Sequence, residues 1–213
     1  MTDCYFKINT SKLERLMKLT KTDFKTYLGC PESLWLLKNK PNNYKRGEVS
    51  LFAEKLVNEG YEVEKYAKLL FPNGINIPEN STTNYTQEQL STNNTVFFQP
   101  SFLTSQGLFA RIDILERLSD GSYHIYEVKS STRVKSDKRH RQIEDACFQK
   151  HVLQECGYIV SKSSIIHLNK EYVRNGEIIP DKLLKISEIT QETDIIFSLV
   201  VNEVNGALNF IRK

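Results

Sequence analysis

Between Val96 and Ser131 the chain can fold in few ways. Three short runs, VFFQPSF, GLFARIDILERL and SYHIYEVKSS, are rich in β-branched and aromatic residues, and turn signals separate them at Ser105-Gln106-Gly107 and Ser119-Asp120-Gly121. They predict an antiparallel meander. Side chains alternate along a strand, so Glu127 and Lys129 share one face and Val128 lies on the other. The second turn then sets the register. A two-residue Asp120-Gly121 loop would put Asp113 against Val128. A three-residue Ser119-Asp120-Gly121 loop with Gly121 left-handed pairs Leu118 with Ser122 and sets Asp113 opposite Glu127.

The flanking segments read as helices. Thr20 to Leu37 is one, with Thr22 as N-cap and Pro31 restarting it after Gly29-Cys30, and Pro41 ends it. A second, from Val49 to Phe71, carries Phe52, Leu56, Val63, Ala67 and Leu70 at helical spacing and stops at Pro72-Asn73-Gly74. Residues 80–94 are polar and read as a surface excursion. The Asn-x-Ser/Thr triplets near Asn80, Asn84 and Asn93 belong to it. Beyond the meander follow a helix from Gln142 to Cys156 closed by Gly157, a strand in SSIIHLNK, and a last helix from Ile189 to Ile211. Ile195, Leu199, Val200, Val204, Leu208 and Ile211 form the apolar stripe of that last helix. The order α, α, β, β, β, α, β, α predicts an α/β fold with a mixed central sheet flanked by helices. One domain over 1–213 is expected, helical over about 12–72 and holding the sheet over about 95–213.

Charge alone excludes little. The chain has 213 residues with 39% hydrophobic side chains, and 29 Lys and Arg stand against 26 Asp and Glu, a net charge of +3 too mild to single out a nucleic-acid binder. No run approaches eighteen apolar residues, and MTDCYFKINTSK has charge where a leader peptide needs an apolar stretch, so a soluble cytoplasmic protein without membrane contact is expected. Cys4, Cys30, Cys147 and Cys156 lack CxxC spacing and read as free thiols.

The chemistry is concentrated in the meander. Two carboxylates facing each other across a strand pair repel unless a cation lies between them, and Mg²⁺ or Mn²⁺, with their preference for hard oxygen ligands, suit the gap. Lys129 on the same face could orient a water or neutralise charge developing on a phosphate. The ordinary reading is a solvated E-x-K salt bridge. Against it, Ile112, Ile114, Tyr126 and Val128 give these strands the look of central ones, where charge needs a reason.

The run from VFFQPSF through ARIDILERL, YHIYEVKSS and EDACFQKHVL to HLNKEYVR, with LTKTDFKTYLGCPESLWLLKNKP and VNEGYEVEKYAKLLFPNG upstream, resembles the RecB-type branch of the PD-(D/E)XK nucleases, near the CRISPR-adaptation exonucleases. The resemblance implies a restriction-endonuclease-like core. It also implies hydrolysis of DNA phosphodiester bonds, exonuclease-like, with Mg²⁺ or Mn²⁺ as cofactor. The site it implies has Asp113, Glu127, Lys129 and Gln149 as catalytic residues and Glu64, Asp113, Glu127 and Val128 around the metal. Glu62 competes with Glu64 for the helical acid. Gln149 shares the helix face of Ala146, Val152 and Leu153, which suits an amide bonded inside the site or, as easily, to the backbone. Many relatives hold an iron–sulfur cluster with one cysteine in an early CP motif and three near the C-terminus. Cys30 matches the first, but no cysteine follows Cys156, so no cluster is expected and Cys30 is expected to pack under Trp35.

After the E-x-K pair, KSSTRVKSDKRHRQ places Ser130, Arg133, Lys135, Lys138, Arg139 and Arg141 where they could bind a nucleic-acid backbone; a solvated loop is the plainer reading. DNA, as single strands or ends, is the expected partner, with RNA a competing substrate. A binding or scaffold module within a larger DNA-processing or defence complex is the alternative function.

Overall fold

A computed structural model describes residues 18–44, 47 and 50–213. The expected start of the helical part near residue 12, Cys4, and the Val49 start of the second helix lie outside the described residues. Strand β1 (Leu19–Thr20) leads into α1 (Lys21–Gly29). Thr20, not Thr22, is the N-cap, because Thr20 and Asp23 complete a reciprocal capping box. Helix α2 (Pro31–Asn39) restarts at Pro31 as expected. Then come α3 (Leu51–Leu69), capped by Ser50, and β2 (Ile75–Asn76).

The polar stretch read as a surface excursion holds a helix, α4 (Thr83–Leu90), capped by the Thr82 hydroxyl on the Tyr85 amide. Its composition hid it: only Thr86 and Leu90 are buried, and the Thr86 hydroxyl is used as an acceptor for the Ser101 amide at 3.2 Å.

The meander is present but broken. VFFQPSF becomes β3 (Val96–Phe98) and β4 (Ser101–Leu103), and GLFARIDILERL becomes β5 (Leu108–Arg111) and β6 (Ile114–Arg117). The cause is Gln99-Pro100. Proline has no amide to donate, and Gln99 is left-handed at φ 59°. The partner strand bends with it at Ile112-Asp113, held by Gln99 N–H to Asp113 O at 3.1 Å and Ile112 N–H to Pro100 O at 3.0 Å. The hairpin thereby passes from a three-stranded sheet, order β1-β5-β4, into a six-stranded one in which β2, β3 and β6 are followed by β7 (Tyr123–Lys129), β8 (Val160–Leu168) and β9 (Leu184–Glu188).

Strand β7 (Tyr123–Lys129) is followed by α5 (Gln142–Glu155) and β8 (Val160–Leu168), which pairs parallel with β7. A short α6 (Pro180–Leu183), the antiparallel edge strand β9 (Leu184–Glu188) and α7 (Thr190–Ile211) complete the chain. The fold is a mixed α/β one, with mixed sheets flanked by helices. Phe97, Leu115, Ile125 and Ile165 meet Phe148 and Val152 of α5 and Val204 and Leu208 of α7 in one core. The alternate positions, Phe98, Ile114, Tyr126 and Ile166, meet Val63 and Ala67 of α3 in a second.

Helix α7 departs from expectation twice. Ile195 and Leu199 are exposed, because the buried stripe is Thr193, Val200, Val204, Ala207, Leu208 and Ile211. By length and composition this helix is apolar enough to cross a membrane, the one such helix among the described residues. Its buried stripe nevertheless belongs to the main core, beside α5.

Candidate active site

The turn between β6 and β7 is the three-residue one. Leu118 N–H bonds to Ser122 O at 2.8 Å, Gly121 N–H returns to Leu118 O at 3.0 Å, and Gly121 is left-handed at φ 82°. The ladder pairs Ile114 with Tyr126. One step further back, Asp113 lies at the level of Glu127, just before β6 begins. Both strands are interior to the six-stranded sheet.

Four groups converge on this pair. Asp113 Oδ2 accepts the Val128 amide at 2.8 Å, so Val128 meets the site through a donor. Lys129 Nζ lies 2.5 Å from Glu127 Oε1 and 3.1 Å from Asp145 Oδ2. Gln149, on α5, donates its amide to Glu127 Oε2. Lys21, the first residue of α1, donates to the same Glu127 Oε1 as Lys129. The structure thus brings Asp113, Glu127, Lys129 and Gln149 together.

Glu64 reaches the acids only through an intermediary. The Gln99 side-chain amide donates to Glu64 Oε1 at 2.8 Å and lies 3.4 Å from Asp113 Oδ1, while Lys68 also pairs with Glu64. Glu62 points outward to Lys65. Of the two helical acids, Glu64 is thus the one beside the site.

Lys21, Gln99 and Asp145 are participants that sequence reasoning missed. Asp145 stands four residues before Gln149, hence on the same helical face, and that spacing could have revealed it. Gln99 precedes a proline inside an apolar run, a sign of a break but not of a role. Lys21 belongs to a distant segment, and no local pattern brings it here.

The electrostatics are uneven. Burial, then the Glu127 carboxylate, push Asp113 up to about 7. Burial would raise Glu127 as well, but Lys129 and Lys21 overcome it and hold this carboxyl well below the usual carboxylate range. Burial disfavours the charged form of Lys129; Glu127 and Asp145 outweigh that and keep it protonated. Two buried oxygens at the site, Gln149 Oε1 and Asp145 Oδ1, have no partner among the described residues. A cavity of 170 Å³ bounded by Thr20, Lys21, Arg111 and Gln149 opens on one side. A cleft of 370 Å³ is lined by Tyr61, Glu64, Lys68, Arg111 and Gln99, the last of which reaches Asp113. A groove of 820 Å³ runs along α3 and includes Ser130 but neither Asp113 nor Glu127.

Among the described residues, no three His, Cys, Asp or Glu are gathered as a group that could hold a metal. Two carboxylates with a buried amide oxygen nearby are still a hard-oxygen donor set, and Mg²⁺ commonly uses one or two carboxylates and completes its shell with water and phosphate. The residues present fit such an ion at Asp113 and Glu127.

The basic connection is braced from within. Gln142, buried, accepts the Lys135 amide at 2.7 Å and donates to Ser131 at 3.3 Å. Ser130, Arg133, Lys138 and Arg139 are exposed. Lys135 sits 3.3 Å from His140, and Arg141, left-handed at φ 51°, contacts Leu28 O and pairs with Glu144, so these two are partly engaged. Cys30 does not pack under Trp35. It is exposed with Sγ 3.5 Å from Glu32, because extended backbone between two helices turns it outward.

No protein-family model matches the chain, and none of the curated proteins matches it. Among solved structures it is similar to an alkaline exonuclease (LHK-Exo) from Laribacter hongkongensis, at 11% identity and TM-score 0.45 over 94% of each chain. It is also similar to the protein SSO0001, at 12% identity and TM-score 0.38 over 94% of this chain and 87% of that one. At these scores both are likenesses only, and the functional reading rests on the site.

Proposed function

We propose that this chain is a metal-dependent nuclease that hydrolyses phosphodiester bonds in DNA. The observation that carries the reading is the level placement of Asp113 and Glu127 with Lys129 on the same side, inside a central strand pair where unpaired charge is costly. The resemblance of the sequence to the RecB-type PD-(D/E)XK nucleases supports it, with Asp113, Glu127, Lys129 and Gln149 as the reacting set. Mg²⁺ or Mn²⁺ at the two acids would polarise a phosphoryl oxygen and lower the pKa of a bound water.

The chain's own residues do the rest. Val128 N–H and Gln99 hold Asp113, and Gln149 holds the far oxygen of Glu127. Asp145 keeps Lys129 beside the acids as a charged group that meets the attacked phosphate. The exposed Ser130, Arg133, Lys138 and Arg139, with Lys135 and Arg141 behind them, track the substrate backbone. Glu64 acts from behind Gln99. A second reading, a nucleic-acid-binding module without turnover, draws support from one observation: Glu127 is already neutralised by two ammonium groups.

The deciding experiment is a panel of end-labelled single- and double-stranded DNA and RNA, with and without Mn²⁺, on the wild type and Glu127→Gln. Metal-dependent cleavage of DNA that the variant loses is the expected result. Binding without cleavage in both proteins would favour the module, and cleavage of RNA alone would reassign the substrate.

A further inference from the structure

The two ammonium groups on Glu127 are not held alike. Lys129 has a second anchor: its Nζ also bonds to Asp145, whose carboxylate is buried and further braced by Lys25 at 3.4 Å. If Glu127 were to take another cation, Lys129 would stay where it is. Lys21 bonds only to Glu127 among the described residues. It begins α1, directly after the Thr20 cap, so its backbone is fixed while its side chain is tied at one end alone. That side chain is about one quarter exposed and forms part of the wall of the 170 Å³ cavity, so it has room to withdraw.

From this difference we propose that Lys21 is a built-in counter-ion to the acid pair, a releasable competitor that leaves Glu127 when a divalent cation binds. The inference rests on the metal-dependent reading above. Together with Lys129, the Lys21 ammonium neutralises Glu127 without a metal and so eases the repulsion between that acid and Asp113. It also sets a threshold, because a divalent ion must replace one charge-assisted hydrogen bond before it is bound. The displaced amine then lies in the cavity beside Arg111, on the side where an anionic substrate group would be met.

The test is a calorimetric Mn²⁺ titration of wild type, Lys21→Met, Glu127→Gln and Lys65→Met, the last removing one exposed positive charge on α3 as a control for net charge. Lys21→Met is expected to bind Mn²⁺ about 10- to 100-fold more tightly than wild type, the scale of one charge-assisted hydrogen bond. Lys65→Met should match wild type. Thermal unfolding supplies a second measurement: without metal Lys21→Met should melt lower than wild type, and saturating Mn²⁺ should raise its Tm by more than it raises the wild type's. Equal affinities in Lys21→Met and wild type, with binding abolished in Glu127→Gln, would overturn the competitor role and leave the nuclease reading standing. No Mn²⁺ binding in any of the proteins would overturn both.

Discussion

At the scale of single residues the site is a balance among ammonium and carboxylate groups, and each lysine has a separable effect. Lys129 is fixed from two sides and kept protonated, so under the proposed function its charge would act on the attacked phosphate more than on binding. Lys129→Ala is expected to lower kcat by ~10²-fold or more with little change in KM, measured on labelled DNA with Mn²⁺. A wild-type kcat would remove the mechanism. A second titratable residue acts on stability alone. His124 is stacked on Tyr126 at 3.9 Å on the face opposite the acids, and its Nε2 lies 2.8 Å from Ser164 Oγ. Burial, only partly offset by Glu116, lowers His124 to about 4 from its ordinary value near 6.5. The folded state therefore favours the neutral ring, and the unfolded chain takes up the proton first as pH falls. Stability from this group is full above pH ~6.5 and drains away towards pH ~4, a loss of about 2 kcal/mol after allowing for partial solvent screening. Denaturant melts across that window should show the slope, and His124→Asn should flatten it. The shared level of Asp113, Glu127 and Lys129 was legible in the sequence because period two and one turn length suffice to place them, whereas Gln149 was implied by the family resemblance and its helical face only agreed with it. Lys21 and Gln99 were not legible, since their positions depend on how α1 docks and where a hairpin breaks.

At the scale of elements, the β6–β7 turn fixes the level of Asp113 against Glu127. Gly121 at φ 82° allows a three-residue loop, and Asp120 reinforces it by accepting both the Ser122 amide and hydroxyl. Gly121→Ala meets no steric neighbour, so its cost is the left-handed backbone alone, about 1–2 kcal/mol. Gly121→Asn, a residue that tolerates this conformation, should cost less. Chemical denaturation of the two variants checks the order, and equal stability of Gly121→Ala and wild type would show that the turn is not strained by a side chain. The sequence also gave away α2, α3, α5 and the strand after α5, each with a proline, a cap or an apolar stripe to mark it. Helix α4 and strand β9 lack such marks. Two buried side chains in eight residues leave α4 with almost no periodic signal, and β9 buries only Leu184 fully along an edge.

Across the whole molecule, the mixed α/β order and the two-sided core were visible in advance, because alternate positions of β3, β6, β7 and β8 are apolar on both faces. The break in the meander was not, although Pro100 lay in plain view within VFFQPSF. A proline demotes a strand locally, but here the neighbouring strand bends in step with it and pairing continues through the break, something no single-strand pattern records. Asp113 lies in that joint, between β5 of the small sheet and β6 of the large one, whereas Glu127 is embedded in the large sheet itself. The gap between the two carboxylates is thus measured by a caliper with one fixed jaw and one carried by the joint. Packing changes at Phe102, Leu108 or Ala110, core residues of the small sheet, would tilt it and reset that gap from a distance.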